Sequence, residues 1–289
     1  MGNSLGRIFF SAACAGATVL AVVYPGWASE TRSQAYGGYV DLALQSLGWP
    51  DQPVAGSMLS VPLRVTNLGP QTAEVPQVVF SADSTLRLSH STGCAGSPSS
   101  SPQCVLGAPL APGESRELAY FGWLHPAARG QLTMGAYALS EAIDVQPGNE
   151  MVVAAMPIRA EVDLVVELLD EHPEVLQDGR LRWRFELRNA GPSDALAFWP
   201  NFLLSPSEGA EESCESLDAN SNCPGGNGGA VIAAGGSLRY TATMAPLSAS
   251  SPAIWIWLSA YPQESELNFA DNHASVDFAD PLFIDEFED

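Results

Sequence analysis

The chain has 289 residues, 46% of them hydrophobic, and carries 12 basic against 33 acidic side chains for a formal net charge of −21. That charge repels phosphate backbones and anionic lipid, which excludes nucleic-acid binding, and the apolar content is too high for a disordered polymer. All 12 basic residues are Arg.

The first segment has one positive charge, Arg7, then an apolar small-residue run from Ile8 to Val23, then Pro25-Gly26-Trp27-Ala28. This layout predicts a secretory signal peptide over residues 1–28, cleaved before Ser29. Cys14 lies in the middle of the run, with Ser11 where a lipobox wants Leu, and reads as an ordinary small apolar residue. No later apolar stretch is long enough to span a bilayer, so no membrane span is expected in the mature chain.

Beyond the signal the apolar pattern has period two. Leu59, Val61, Leu63 and Val65 alternate with Ser60, Pro62, Arg64 and Thr66, a half-buried strand that ends at the turn Asn67 to Pro70. Further strands are predicted at Val75 to Ala82, Leu86 to Ser89, Ser115 to Trp123, Leu132 to Ser140 and Met151 to Pro157. Next comes a sharper alternation, in which Leu181, Trp183, Phe185 and Leu187 point one way and Arg180, Arg182, Arg184, Glu186 and Arg188 the other. Strands then follow at Ala195 to Leu204, Ala230 to Ile232, Ser237 to Ala245, Ala253 to Ala260 and Ala274 to Phe278. No segment carries a capped helical period.

The chain repeats itself. Val40-Asp41-Leu42 returns as Val162-Asp163-Leu164, Asn67 to Pro70 as Asn189 to Pro192, and Gly113-Glu114-Ser115 as Gly235-Gly236-Ser237, each at an offset of 122. An offset of that size is a whole small domain. The expected fold class is therefore all-β, two tandem immunoglobulin-like antiparallel β-sandwich modules at 36–157 and 158–279, followed by an acidic tail at 280–289. Ile158 to Glu161 leaves little slack between the modules. Variable Ser-, Gly- and Pro-rich loops are expected at 93–102 and 207–229.

Four cysteines remain after the signal, Cys94 and Cys104 in the first copy and Cys214 and Cys223 in the second. Four cysteines allow three pairings; duplication favours one disulfide inside each module, in an oxidising compartment. A zinc site fits poorly, since neither pair is Cys-x-x-Cys.

These motifs, in this order, resemble the bacterial surface repeats known as domain of unknown function number eleven and the related CARDB (cell-adhesion-related) domains. Those repeats open on an Asp-Leu strand, run into Asn-x-Gly-Pro, often carry a Cys pair followed by Leu-Gly-x-Leu-x-x-Gly, and close on an acidic Asn-rich turn. Leu106 to Gly113 match the third motif with one residue inserted, while Val231-Ile232-Ala233-Ala234 depart from it. The resemblance implies an exported bacterial adhesion or scaffold protein, secreted, periplasmic or on the outer surface, with no catalytic residues to carry over. The tail Phe283 to Glu288 also looks loosely like short endings on some secreted proteobacterial proteins.

For chemistry the pattern offers little, and no enzyme is expected. His90, His125, His172 and His273 occupy non-equivalent positions and sit in no catalytic motif. No cofactor is expected; the alternative is calcium, for which Asp144 and Asn149 in the first copy, and Glu264, Glu266, Asp271 and Asn272 in the second, supply oxygen ligands at loop spacing, though neither loop has the Asp-x-Asp-x-Asp-Gly pattern and a turn capped by its own Asn would look the same. The strip Arg180, Arg182 and Arg184 reads first as the solvated side of one strand balanced by cross-strand Glu; the alternative is a carbohydrate-binding face formed by Trp255 and Trp257 together with that strip, and whether Trp255 and Trp257 or Ile254, Ile256 and Leu258 face the core stays open. The expected partner is a protein or polysaccharide at the cell surface.

Overall fold

The computed structural model describes residues 38–96, 100–225, 229–248 and 253–279. The expected signal peptide and the acidic tail lie outside these. Apart from one 3-10 turn, Phe269–Asp271, the regular structure is all strand.

Eight principal strands form the first half: β1 (Leu42–Ser46), β2 (Met58–Asn67), β3 (Gln77–Ala82), β4 (Leu86–Thr92), β5 (Gln103–Val105), β6 (Ser115–Leu124), β7 (Gln131–Leu139) and β8 (Met151–Pro157). Eight more form the second: β9 (Leu164–Leu168), β10 (Leu181–Asn189), β11 (Ala195–Ser205), β12 (Glu211–Ser216), β13 (Ala230–Ile232), β14 (Ser237–Met244), β15 (Ala253–Pro262) and β16 (His273–Ala279). The first half pairs as β1-β2-β6-β4 and β8-β7-β3-β5, the second as β9-β10-β14-β12 and β16-β15-β11-β13. Adding eight to each label of the first half reproduces the strand order of the second. All of these pairings are antiparallel.

The alternation written in the sequence is what fills each sandwich. On β2, Leu59, Val61, Leu63 and Val65 are buried; on β10, Leu181, Trp183, Phe185 and Leu187 are. Each such side chain contributes about 1.5–3 kcal/mol relative to leaving it in water. Two separate hydrophobic clusters result, one with Tyr120 stacked on Phe80 at 4.8 Å, the other with Phe202 packed edge-on against Phe185 at 5.9 Å.

The Asn-x-Gly-Pro turns are structural clasps. Asn67 is fully buried; its amide donates to the carbonyls of Gln71 (2.7 Å) and Leu110 (2.8 Å) and its oxygen accepts from Gly69 N. Asn189 does the same toward Ser193 O, Ile232 O and Gly191 N. A Cβ on Gly69 would lie 2.5 Å from Asp41 N, and one on Gly191 2.7 Å from Asp163 N, so the strand opening each half passes directly over a glycine.

The two sandwiches belong to one compact unit and meet end to end. Ala55 N donates to Arg159 O at 2.9 Å and Arg159 N to Pro53 O at 2.9 Å; Ser193 Oγ donates to Ala55 O at 2.8 Å. Gly56 adopts φ +80°, and a Cβ there would lie 1.6 Å from Pro192 O, so only glycine lets the loops approach this closely. Arg129 completes the seam by donating to Asp194 O and pairing with Glu264 at 3.0 Å.

One expectation needs correction. The segment 207–229 is not wholly loop: Glu211–Ser216 forms β12, paired along its whole length with β14. It is an edge strand with hardly any buried side chain, and its sequence Glu-Glu-Ser-Cys-Glu-Ser therefore shows no alternation to detect. β5, Gln103–Val105, escapes for a different reason: three residues are too few to show a period.

Candidate functional site

Both disulfides lie inside their own sandwich, Cys94–Cys104 and Cys214–Cys223. Each joins a strand to a nearby loop or strand, Cys104 on β5 and Cys214 on β12, and so holds an edge of the sandwich to the loop that follows or precedes it.

The oxygen-rich loops at one end of each sandwich are built from residues 122 apart. Short parallel pairs, Tyr39–Val40 with Ile143–Asp144 and Glu161–Val162 with Ser265–Glu266, bring each closing turn against the opening strand. Asp144 accepts from Leu42 N (2.9 Å) and from Gln146 N; Glu266 accepts from Leu164 N (3.2 Å), Leu267 N and the Asn272 amide. These carboxylates serve as backbone caps. Burial still pushes the Glu266 carboxyl above its ordinary range, ahead of its hydrogen bonds with Asn272, Asn268 and Leu164, which pull it down.

At the next position the copies differ. Asn149 donates to Asp41 Oδ1 at 2.8 Å, whereas the matching residues in the second sandwich are Asp271 and Asp163. Burial first, and the Asp271 charge second, raise the Asp163 carboxyl. Asp163 Oδ1, Asp271 Oδ1 and Asn272 Oδ1 are buried without a hydrogen-bond donor. Among the described residues, no three side chains of His, Cys, Asp or Glu gather closely enough to hold a metal ion. Glu264 stands apart from this set, at the seam with Arg129, where its Oε1 also accepts from Leu196 N.

The arginine strip is engaged within its own sandwich. Arg180 pairs with Asp178 (2.8 Å) and Glu211 (2.7 Å), Arg182 with Glu174 (3.3 Å) and Arg184 with Asp170 (2.6 Å). The guanidinium of Arg184 holds the Asp170 carboxyl below its ordinary range through hydrogen bonds that outweigh burial. Arg182 and Arg184 lie on β10, and Arg180 immediately precedes it.

Trp255 and Trp257 lie on β15, in the other sheet of the same sandwich, with Ile254, Ile256 and Leu258 buried between them. The structure thus settles the orientation left open by the alternation: the tryptophans face outward. It also separates them from the arginines, because the outward sides of the two sheets are opposite faces of the sandwich. The predicted combined face does not exist. What stands instead is an aromatic row, Trp255 on Trp257 at 6.3 Å and Trp257 on His273 at 4.6 Å with the last two rings nearly parallel. Trp255 is 38% exposed, and Leu203, 47% exposed, is the register partner of Trp257 on β11.

The remaining histidines are scattered. His90 stacks on Phe121 at 4.4 Å, and His125 Nδ1 accepts from Ala127 N. Among the described residues none of the four forms an ion pair with a carboxylate. The same residues contain no helix long and apolar enough to cross a membrane.

Sequence reasoning passed over three features: the Asp163–Asp271 contrast, the Arg129–Glu264 seam, and an exposed Trp123 beside Arg87 on the first sandwich. The first was within reach, because applying the offset of 122 to Asn149 lands on Asp271. The other two join residues whose proximity only the folded chain creates.

No protein-family model matches the chain, and no curated protein does. Solved structures do. A CARDB domain from Pyrococcus furiosus aligns at 16% identity and a TM-score of 0.31, over 42% of this chain and 95% of that domain. The crystal structure of a CARDB domain from the same organism in complex with di-metal ions aligns at 13% and 0.30, over 41% and 91%. Bovine butyrophilin aligns at 11% and 0.28, over 83% and 99%.

Proposed function

We propose that the chain is an exported, non-enzymatic adhesion or scaffold protein of a bacterial envelope, built as two CARDB-like modules at 36–157 and 158–279, that engages polysaccharide through the outward face of β15. The observation that carries this reading is the aromatic row of Trp255, Trp257 and His273. Indole rings placed on the solvent side of a sheet contribute nothing to the core beneath it, and their faces suit the C–H faces of sugar rings. Two disulfides suit an oxidising compartment outside the cytoplasm. The saturated ion pairs of the arginine strip speak for a solvated flank and against a role in binding.

The test is binding of the mature protein to a panel of insoluble and soluble polysaccharides, with Trp255→Ala/Trp257→Ala as the comparison. Pull-down by at least one glycan that is lost in the double variant supports the reading. Retention of all glycan binding in that variant, or absence of any, removes the row as a recognition face and leaves a spacer whose partner is protein.

A further inference from the structure

A third outward tryptophan lies on the first sandwich, away from the row on β15. Trp123 on β6 is 52% exposed and stands in register between Met58 on β2 and Arg87 on β4. It borders a cleft of about 530 Å³ whose floor includes Leu86 and Leu124 and whose rim carries Arg87, His125 and Thr85. The volume falls within the range of small-molecule sites and accommodates one or two sugar rings.

The charge inside this cleft runs against the chain. The protein has almost three acidic residues for each basic one, yet no Asp or Glu lines the cleft. Asp83, close by in sequence, has both oxygens turned inward, accepting from Thr85 N and Oγ1 and from Thr133 N. Eight of the ten described arginines are ion-paired; Arg87 is one of the two that are not. An acidic protein that leaves one guanidinium free beside an open indole has the parts for a planar anion: five N–H donors in a fork, and a π face next to them. His125 adds a third part. Its Nδ1 accepts from Ala127 N at 3.1 Å, which leaves Nε2 as the ring nitrogen able to donate outward.

We propose that this cleft binds a carboxylate-bearing pyranose, the uronate unit of an acidic polysaccharide, with the sugar face on Trp123, the carboxylate on Arg87 and a ring hydroxyl on His125 Nε2. The site lies beside the seam. His125 N donates to Thr85 O and Asp194 N to Pro126 O, so the loop that carries His125 also contacts the second sandwich. It is separate from the aromatic row on β15 and stands or falls independently of it.

The test is titration of the mature protein with trigalacturonate and with its neutral methyl ester, followed by tryptophan fluorescence and calorimetry, in wild type, Trp123→Ala, Arg87→Met and Trp255→Ala/Trp257→Ala. Both Trp123 and Arg87 are exposed, so the variants should fold, and matching thermal melts check that they do. Expected is saturable binding of the acid, abolished in Trp123→Ala and weakened about tenfold or more in Arg87→Met, with the ester bound weakly by wild type and unaffected by Arg87→Met. The double variant on β15 should bind as wild type does. No saturable binding of the acid overturns the proposal, as does equal affinity for acid and ester. Tighter binding of an acidic aromatic peptide at Trp123 would replace the sugar as occupant and overturn it too.

Discussion

Asp163 and Asp271 stand close enough to repel, at the two positions where the first sandwich joins Asp41 to Asn149 by a hydrogen bond of 2.8 Å. One framework thus holds an amide–carboxylate pair in one copy and two carboxylates in the other. The cost is visible in the Asp163 carboxyl, raised by burial and by its neighbour.

Asp271→Asn should therefore stabilise the protein near neutral pH, by roughly 0.5–1 kcal/mol for a partly exposed like-charge contact. The sign follows from the direction of the shift. A carboxyl whose folded pKa is raised favours folding when protonated, so its contribution is full below the unfolded value and lost as pH rises through the folded one. The gain from Asp271→Asn should be largest at neutral pH and shrink as the pH falls through the raised pKa of Asp163. Thermal melts of both proteins across that range, in chelator, read it directly; a gain independent of pH would mean that charge is not its source.

Asn189→Ala should cost about 2–4 kcal/mol, since it strands the carbonyls of Ser193 and Ile232 and the N–H of Gly191 in a fully buried site. Asn67→Ala should cost a similar amount in the first sandwich. Denaturant unfolding measures both, and a loss below about 0.5 kcal/mol would show the clasp to be replaceable by water.

The framework was legible because it is written in periodicity and turn chemistry. Leu59 to Val65 and Leu181 to Leu187 declare their buried faces by alternation, and Asn67 and Asn189 mark the strand ends. The sites were less legible. Trp255 and Trp257 alternate with equally apolar Ile254, Ile256 and Leu258, so both faces of β15 read as core. Only the packing of Ile256 at the centre of the second cluster decides between them. The arginines were visible as a strip, but their position on the opposite sheet depends on topology, which a single strand pattern does not contain.

Arg129→Ala removes the cation from a carboxylate whose side chain is only 10% exposed. The loss should be about 1–3 kcal/mol, below that of a fully buried pair because Arg129 itself is 28% exposed. Glu264→Gln tests the same contact with hydrogen bonding largely kept. A calorimetric transition that splits in two in Arg129→Ala, while wild type unfolds as one, would locate the effect at the seam; an unchanged single transition would assign the coupling to the Ala55 and Arg159 backbone bonds instead.

Replacing both cysteines of one bond by Ser tests the closures separately. Cys94 and Cys104 are ten residues apart and Cys214 and Cys223 nine, so each bond is expected to contribute about 2.5–3 kcal/mol through the entropy of the unfolded chain. Denaturant midpoints under oxidising conditions give the values, and a loss much larger in one pair than the other would indicate that the bond also holds its edge strand in place.

The seam between the sandwiches also gives the molecule a polarity. Arg129 lies in the turn after β6 and Glu264 in the turn after β15, at opposite ends of their own sandwiches, so the contact reads in one direction only. Counting back 122 from Glu264 reaches Ala142, a methyl group where the acceptor would have to be. A second molecule that offers its own Arg129 to the first sandwich therefore meets no carboxylate at that position. The joint carries an address as well as an affinity: its acceptor carboxylate stands on the second copy alone, so the contact tells the two copies apart.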